Sequence, residues 1–92
     1  MSEDFDWDDA NLKHIARHEV SPEEAEQVLL NDPLGLDFHE VDGEERFVVV
    51  GMTARARCLV VVWTPRGKAI RVVTAFDAEG SYERLYFSAK GA

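Results

Sequence analysis

Residues 46–76 read RFVVVGMTARARCLVVVWTPRGKAIRVVTAF, and this stretch decides the fold. It divides into three apolar runs, Arg46 to Met52, Arg57 to Thr64 and Ala69 to Phe76. Valine-rich runs of this length, bounded by turn residues, read as β-strands. The middle run is too continuously apolar for an edge strand. Thr64-Pro65-Arg66-Gly67-Lys68 predicts a hairpin loop between the second and third runs.

Working outward, Leu34, Leu36 and Phe38 alternate with Gly35, Asp37 and His39. That period of two predicts a strand with one wet face. Asp42-Gly43-Glu44-Glu45 then supplies a turn into the Arg46 run. Four strands joined by short turns predict an antiparallel meander.

The residues before the strands carry helical signals. Ser21-Pro22-Glu23-Glu24 predicts an N-cap at Ser21, a first helical residue at Pro22 and a capping-box partner at Glu24. Ala25, Val28 and Leu29 form the apolar stripe, and Pro33 ends the helix. An earlier helix starts at Asp8-Asp9 and runs to Arg17-His18, with acids at the positive end of its dipole and bases at the negative end. Glu79 to Lys90 predicts a short final helix with Tyr82, Leu85 and Tyr86 on one side. The expected architecture is α+β: two N-terminal helices, a four-stranded antiparallel sheet and a short C-terminal helix, with the helices on one face of the sheet. At 92 residues, a single domain spanning 1–92 is expected.

The net charge of −8 argues at first sight against a polyanion ligand. Its distribution does not. Residues 1–45 carry 15 acids and 2 bases, residues 46–76 carry 6 bases and no acid, and residues 77–92 carry 3 acids and 2 bases. Screening confines electrostatic influence to about 8–10 Å at physiological salt, so a local cation cluster acts on its own neighbourhood.

Cys58 is the sole cysteine, which excludes an internal disulfide and fits a reducing compartment. Its apolar neighbours predict a buried core thiol. Met1 to Asp9 has neither the basic start nor the apolar centre of a secretory signal. No apolar run approaches the ~20 residues that span a bilayer. The expectation is a cytoplasmic protein without membrane contact.

Taken in order, several blocks resemble the BrnT family of bacterial type II toxins, which share the RelE-like ribonuclease fold. They are Phe5-Asp6-Trp7-Asp8, Arg17-His18-Glu19-Val20-Ser21, Glu23-Glu24-Ala25 and Asn31-Asp32-Pro33-Leu34. Gly43 to Phe47 and Gly51 follow, then Arg57, Leu59 to Thr64, Arg66-Gly67 and Ile70 to Ala75. There are three departures. Glu19 replaces the usual glycine, and the first helix is shorter, with His14 near a usual asparagine. Phe76-Asp77 stands where the family continues with two basic residues.

The resemblance implies a metal-independent ribonuclease neutralised by a cognate antitoxin, with RNA as the bound nucleic acid and the toxin pairing as a homodimer. Metal-free RNA cleavage needs a base for the 2′-hydroxyl, an acid for the leaving 5′-oxygen and cations for the charged phosphorane. His18, Arg46, Arg57 and Arg71 are the candidate catalytic residues, with His14 as a second proton-transfer group and Tyr82 and Tyr86 as weaker acids. Trp7, Arg17 and Arg55 are candidate substrate-binding residues. The plainer readings stay open. His18 also suits a helix end, the arginines suit partnership with the acids of residues 1–45, and Trp63 suits packing. His14 and His18 have i, i+4 spacing but no third ligand pattern, so neither a metal nor another cofactor is expected. Two rivals remain: a binding module that keeps the fold without catalysis, and a metal-dependent enzyme using His14, His18 and nearby acids.

Overall fold

The computed structural model describes residues 4–91. Its elements are α1 (Asp9–Ala16), α2 (Pro22–Leu30), β1 (Leu34–Val41), β2 (Glu44–Met52), β3 (Cys58–Arg66), β4 (Ala69–Asp77) and α3 (Ser81–Ala89). The four strands form one antiparallel sheet in the order β1-β2-β3-β4. The α+β class, the helix count and the meander all follow the sequence reading.

The strands outrun their expected ends. β3 continues through Pro65 to Arg66, which pairs with Ala69, so the loop contracts to Gly67 and Lys68. Gly67 has φ +60°, a conformation glycine takes without steric cost. At the β1–β2 turn Asp42 and Gly43 both have positive φ, +51° and +80°, the pattern of a type I′ hairpin.

Both helix starts are capped by their own sequence. Ser21 and Glu24 close the expected capping box. Asp8 and Asn11 close a second one, which the sequence reading missed. Asn11 is 3% exposed, and its amide nitrogen also donates to the carbonyls of Asp6 (2.9 Å) and Val72 (3.0 Å). One buried side chain thus ties the N-terminal segment, α1 and β4 together with its polar groups satisfied.

One expectation is corrected: the helices do not share a face. Leu59 and Val61 of β3, with Val49, Val72 and Ala75, pack against Ile15, Val20, Ala25 and Val28 on the α1/α2 side. Cys58 and Val60 alternate to the other side and join Val50, Ala78 and Tyr86 of α3. The apolar continuity of β3 therefore reflects a sheet covered on both faces. Gly51 marks the tightest approach of α2, since a Cβ there would lie 3.1 Å from Val28 Cγ1. Trp63 stacks on Phe47 at 4.6 Å between ring centroids and packs on the α1/α2 core, as its packing reading predicts.

Candidate functional site

Strand register places the candidate arginines at two ends of the sheet. Phe47 pairs with Trp63, so Arg46 and Thr64 fall on the next rung outward, and Thr64 pairs with Arg71. This register sets Arg46, Thr64 and Arg71 side by side at one end of the three strands. Arg57 immediately precedes β3, whose first residue lies six steps from Thr64. At ~3.3 Å per residue that is roughly 20 Å.

The row opens into a cleft of about 260 Å³ lined by His14 of α1, Glu44 and Arg46 of β2, Arg66 of β3 and Arg71 of β4. Glu44 accepts from Arg46 Nε at 3.1 Å and from Arg66 Nη2 at 3.4 Å. Arg71 grips Asp8 with both arms, Nη1 to Oδ2 at 3.0 Å and Nη2 to Oδ1 at 3.1 Å, and reaches Asp6 at 3.5 Å. The hydrogen bond from Arg71 holds the Asp8 carboxyl below its usual range, helped by the backbone N–H of Asn11. Between the two arginines, Thr64 is 1% exposed and its hydroxyl has no hydrogen-bond partner among the described residues.

At the opposite end Arg57 is bound on all sides. Its Nε donates to Asp77 at 2.8 Å and its Nη1 donates to both oxygens of Glu24 at 3.1 Å. The same guanidinium caps the turn after α1, donating to the Glu19 carbonyl at 2.8 Å and the His18 carbonyl at 3.4 Å. The Arg57 hydrogen bond draws the Asp77 carboxyl down. Glu24 is lowered first by the Ser21 backbone N–H and then by Arg57. His18 lies past the end of α1 with its ring 5.9 Å from the Phe76 ring, in a hollow lined also by Glu19, Asp77 and Glu79. Because α1 stops at Ala16, the i, i+4 spacing does not bring His14 and His18 to a common site. Among the described residues, no group of three or more His, Cys, Asp or Glu side chains forms a metal-binding cluster.

A family model for the ribonuclease toxin BrnT of type II toxin–antitoxin systems matches residues 7–81. The chain belongs to the BrnT family. No curated protein and no solved structure matches it. Membership makes the chain a ribonuclease toxin of a type II system and implies an antitoxin partner. The matched span runs from Trp7 through the whole sheet and ends at the first residue of α3.

The remaining candidates of this BrnT chain lie outside the cleft lining. Trp7 donates its indole N–H to Glu26 at 2.8 Å and packs on the α1/α2 core. Arg17 is the exposed C-cap of α1. Arg55 is exposed in the β2–β3 turn, beside a hollow lined by Glu24, Gln27 and Thr53. Tyr82 is exposed on α3, whereas Tyr86 is buried in the second core. The reading from residues alone missed Arg66 and Glu44 as cleft residues. The Arg66-Gly67-Lys68 turn was their one signal, obscured while the loop was drawn too long.

Proposed function

We propose that this BrnT family member cleaves RNA without a metal ion in the cleft between α1 and the Arg46–Arg71 row. The gathering of Arg46, Arg66, Arg71 and His14 into one opening carries this reading. Three guanidinium groups suit a dianionic phosphorane, because planar N–H forks match phosphate oxygens. Glu44 takes the 2′-hydroxyl proton as that oxygen attacks phosphorus, and the His14 imidazolium protonates the departing 5′-oxygen. The products are a 2′,3′-cyclic phosphate and a 5′-hydroxyl. Of the four catalytic candidates read from the sequence, this scheme keeps Arg46 and Arg71, adds Glu44, His14 and Arg66, and leaves His18 and Arg57 outside the cleft.

The cognate antitoxin neutralises the toxin by covering the cleft, and two toxin copies pair within the complex. The cytoplasm, where RNA and antitoxin meet, is the setting this reading requires. Among the described residues no helix is long and apolar enough to cross a membrane.

The test is cleavage of single-stranded RNA by purified protein in EDTA. Wild type should cleave, and Arg46→Ala/Arg71→Ala should lose about 100-fold or more, the scale of removing oxyanion-stabilising donors. Intact RNA after incubation with folded wild-type protein rejects the proposal.

A second reading, a binding module without catalysis, is favoured by one observation: Arg46, Arg66 and Arg71 are each already paired with a carboxylate of the chain. Asp77 in place of a basic residue points the same way. Salt separates the two. RNA binding that weakens steeply with salt follows from phosphate contacts, whereas salt-insensitive binding to a protein partner supports the module.

A further inference from the structure

We propose that Asp6 and Asp8 are built-in competitors of RNA phosphate at Arg71 and set the affinity of the cleft for its substrate. The inference rests on the reading of the cleft as the RNA site and adds the chain's own control over it.

The N-terminal segment lies along the outer edge of β4. Asp6 N–H donates to the Ile70 carbonyl and Ile70 N–H to the Asp4 carbonyl, both at 2.9 Å. Phe5 and Ile70 form a parallel bridge. This places Asp6 and Asp8 on either side of Trp7, whose anchor on Glu26 fixes the segment. The result is a bidentate carboxylate on Arg71 in the geometry a phosphate would use.

Exposure separates the partners. The Arg71 side chain is 16% exposed, whereas those of Asp6 and Asp8 are 36% and 54% exposed. Arg71 is held in place, Asp6 can turn to water, and Asp8 can give up Arg71 while its Oδ1 stays on the helix cap. An arriving phosphate therefore displaces solvated side chains without dismantling the core. Asp8 keeps a second role throughout, since its Oδ1 accepts from Ala10 N and Asn11 N and caps α1.

One consequence concerns ligand class. A single phosphate must outcompete two carboxylates at Arg71 alone. A polyanion that also engages Arg46 and Arg66 gains from their linkage. The paired acids thus select chains of phosphates over mononucleotides.

The test uses a fluorescent 2′-O-methyl single-stranded RNA, which binds without being cleaved. Asp6→Asn/Asp8→Asn removes both charges and keeps a capping oxygen at position 8. Pairs with solvated carboxylates compete only modestly, so RNA affinity should rise roughly three- to tenfold. The slope of log affinity against log salt should steepen by about 0.7, since one phosphate contact then releases a cation from the strand with no freed carboxylate to take one up. Asp6→Asn alone, which leaves the cap untouched, should give a smaller rise in the same direction. If Arg71→Ala weakens binding but neither Asn variant strengthens it, the competition is wrong while the cleft stands. If Arg71→Ala leaves binding unchanged, the cleft is not the RNA site and both readings fall.

Discussion

Arg57 and Arg71 look alike on paper. Each is a strand-end or strand arginine, and each ion-pairs with two carboxylates from distant parts of the chain. Their surroundings separate them. Arg57 also donates to the His18 and Glu19 carbonyls in the turn after α1 and so ties that turn to the start of β3. Among the described residues Arg71 meets only side chains, and those are exposed enough to be hydrated on their own. Removing Arg57 takes away two hydrogen bonds to backbone carbonyls and the cation shared by Glu24 and Asp77. Removing Arg71 leaves two solvated acids. An ion-pair tally does not distinguish a structural arginine from a functional one; the backbone carbonyls do.

That contrast can be broken by substitution. Arg57→Ala should destabilise the fold by about 2 kcal/mol, lowering Tm by roughly 8–16 °C for a domain of this size. Arg71→Ala should shift Tm by less than about 4 °C, because its carboxylate partners are solvated and stay hydrated without it. Thermal melts of the two variants side by side check this, and equal losses would erase the distinction.

Acid titration sharpens it. Asp77 and Glu24 sit below their ordinary values of 3.8 and 4.5, held there by Arg57 and, for Glu24, chiefly by the Ser21 N–H. A carboxyl lowered in the folded state binds fewer protons than in the unfolded chain. Its stabilisation is therefore complete above the ordinary value and lost as pH falls through the lowered one. Stability should drop as pH falls below about 4.5, and the drop should be shallower in Arg57→Ala. Denaturant midpoints measured from pH 6 to pH 3 provide the comparison.

The smallest expected effect lies in the same clasp. Glu19 has φ +57°, a left-handed conformation that costs a side-chain-bearing residue about 1 kcal/mol relative to glycine. Glu19→Gly keeps the carbonyl that Arg57 needs and should stabilise by about 0.5–1 kcal/mol, read as a higher urea midpoint with unchanged slope.

Much of the fold was legible because its signals are local. The Ser21/Glu24 box, the Asp42-Gly43 turn and the alternation of β1 each lie within a few residues. The position of α3 was not legible, because an apolar run buried on two faces looks the same in sequence as one buried deeply on a single face. Asn11 was missed because its decisive partner, the Val72 carbonyl, lies 61 positions away. The acid-free span from Arg46 to Phe76 shows its concentration of bases in the sequence itself. Its neutralisation was invisible, since Asp6, Asp8, Glu24, Glu44 and Asp77 all lie outside it and arrive through the fold.

The central claim is that one end of the sheet meets RNA and the other holds the chain together. Amide chemical-shift mapping with a 2′-O-methyl single-stranded RNA tests it most directly. Perturbations should cluster at His14, Arg46, Arg66 and Arg71 and spare His18, Arg57 and Asp77. Perturbations centred on His18 and Asp77, with the cleft silent, would contradict it.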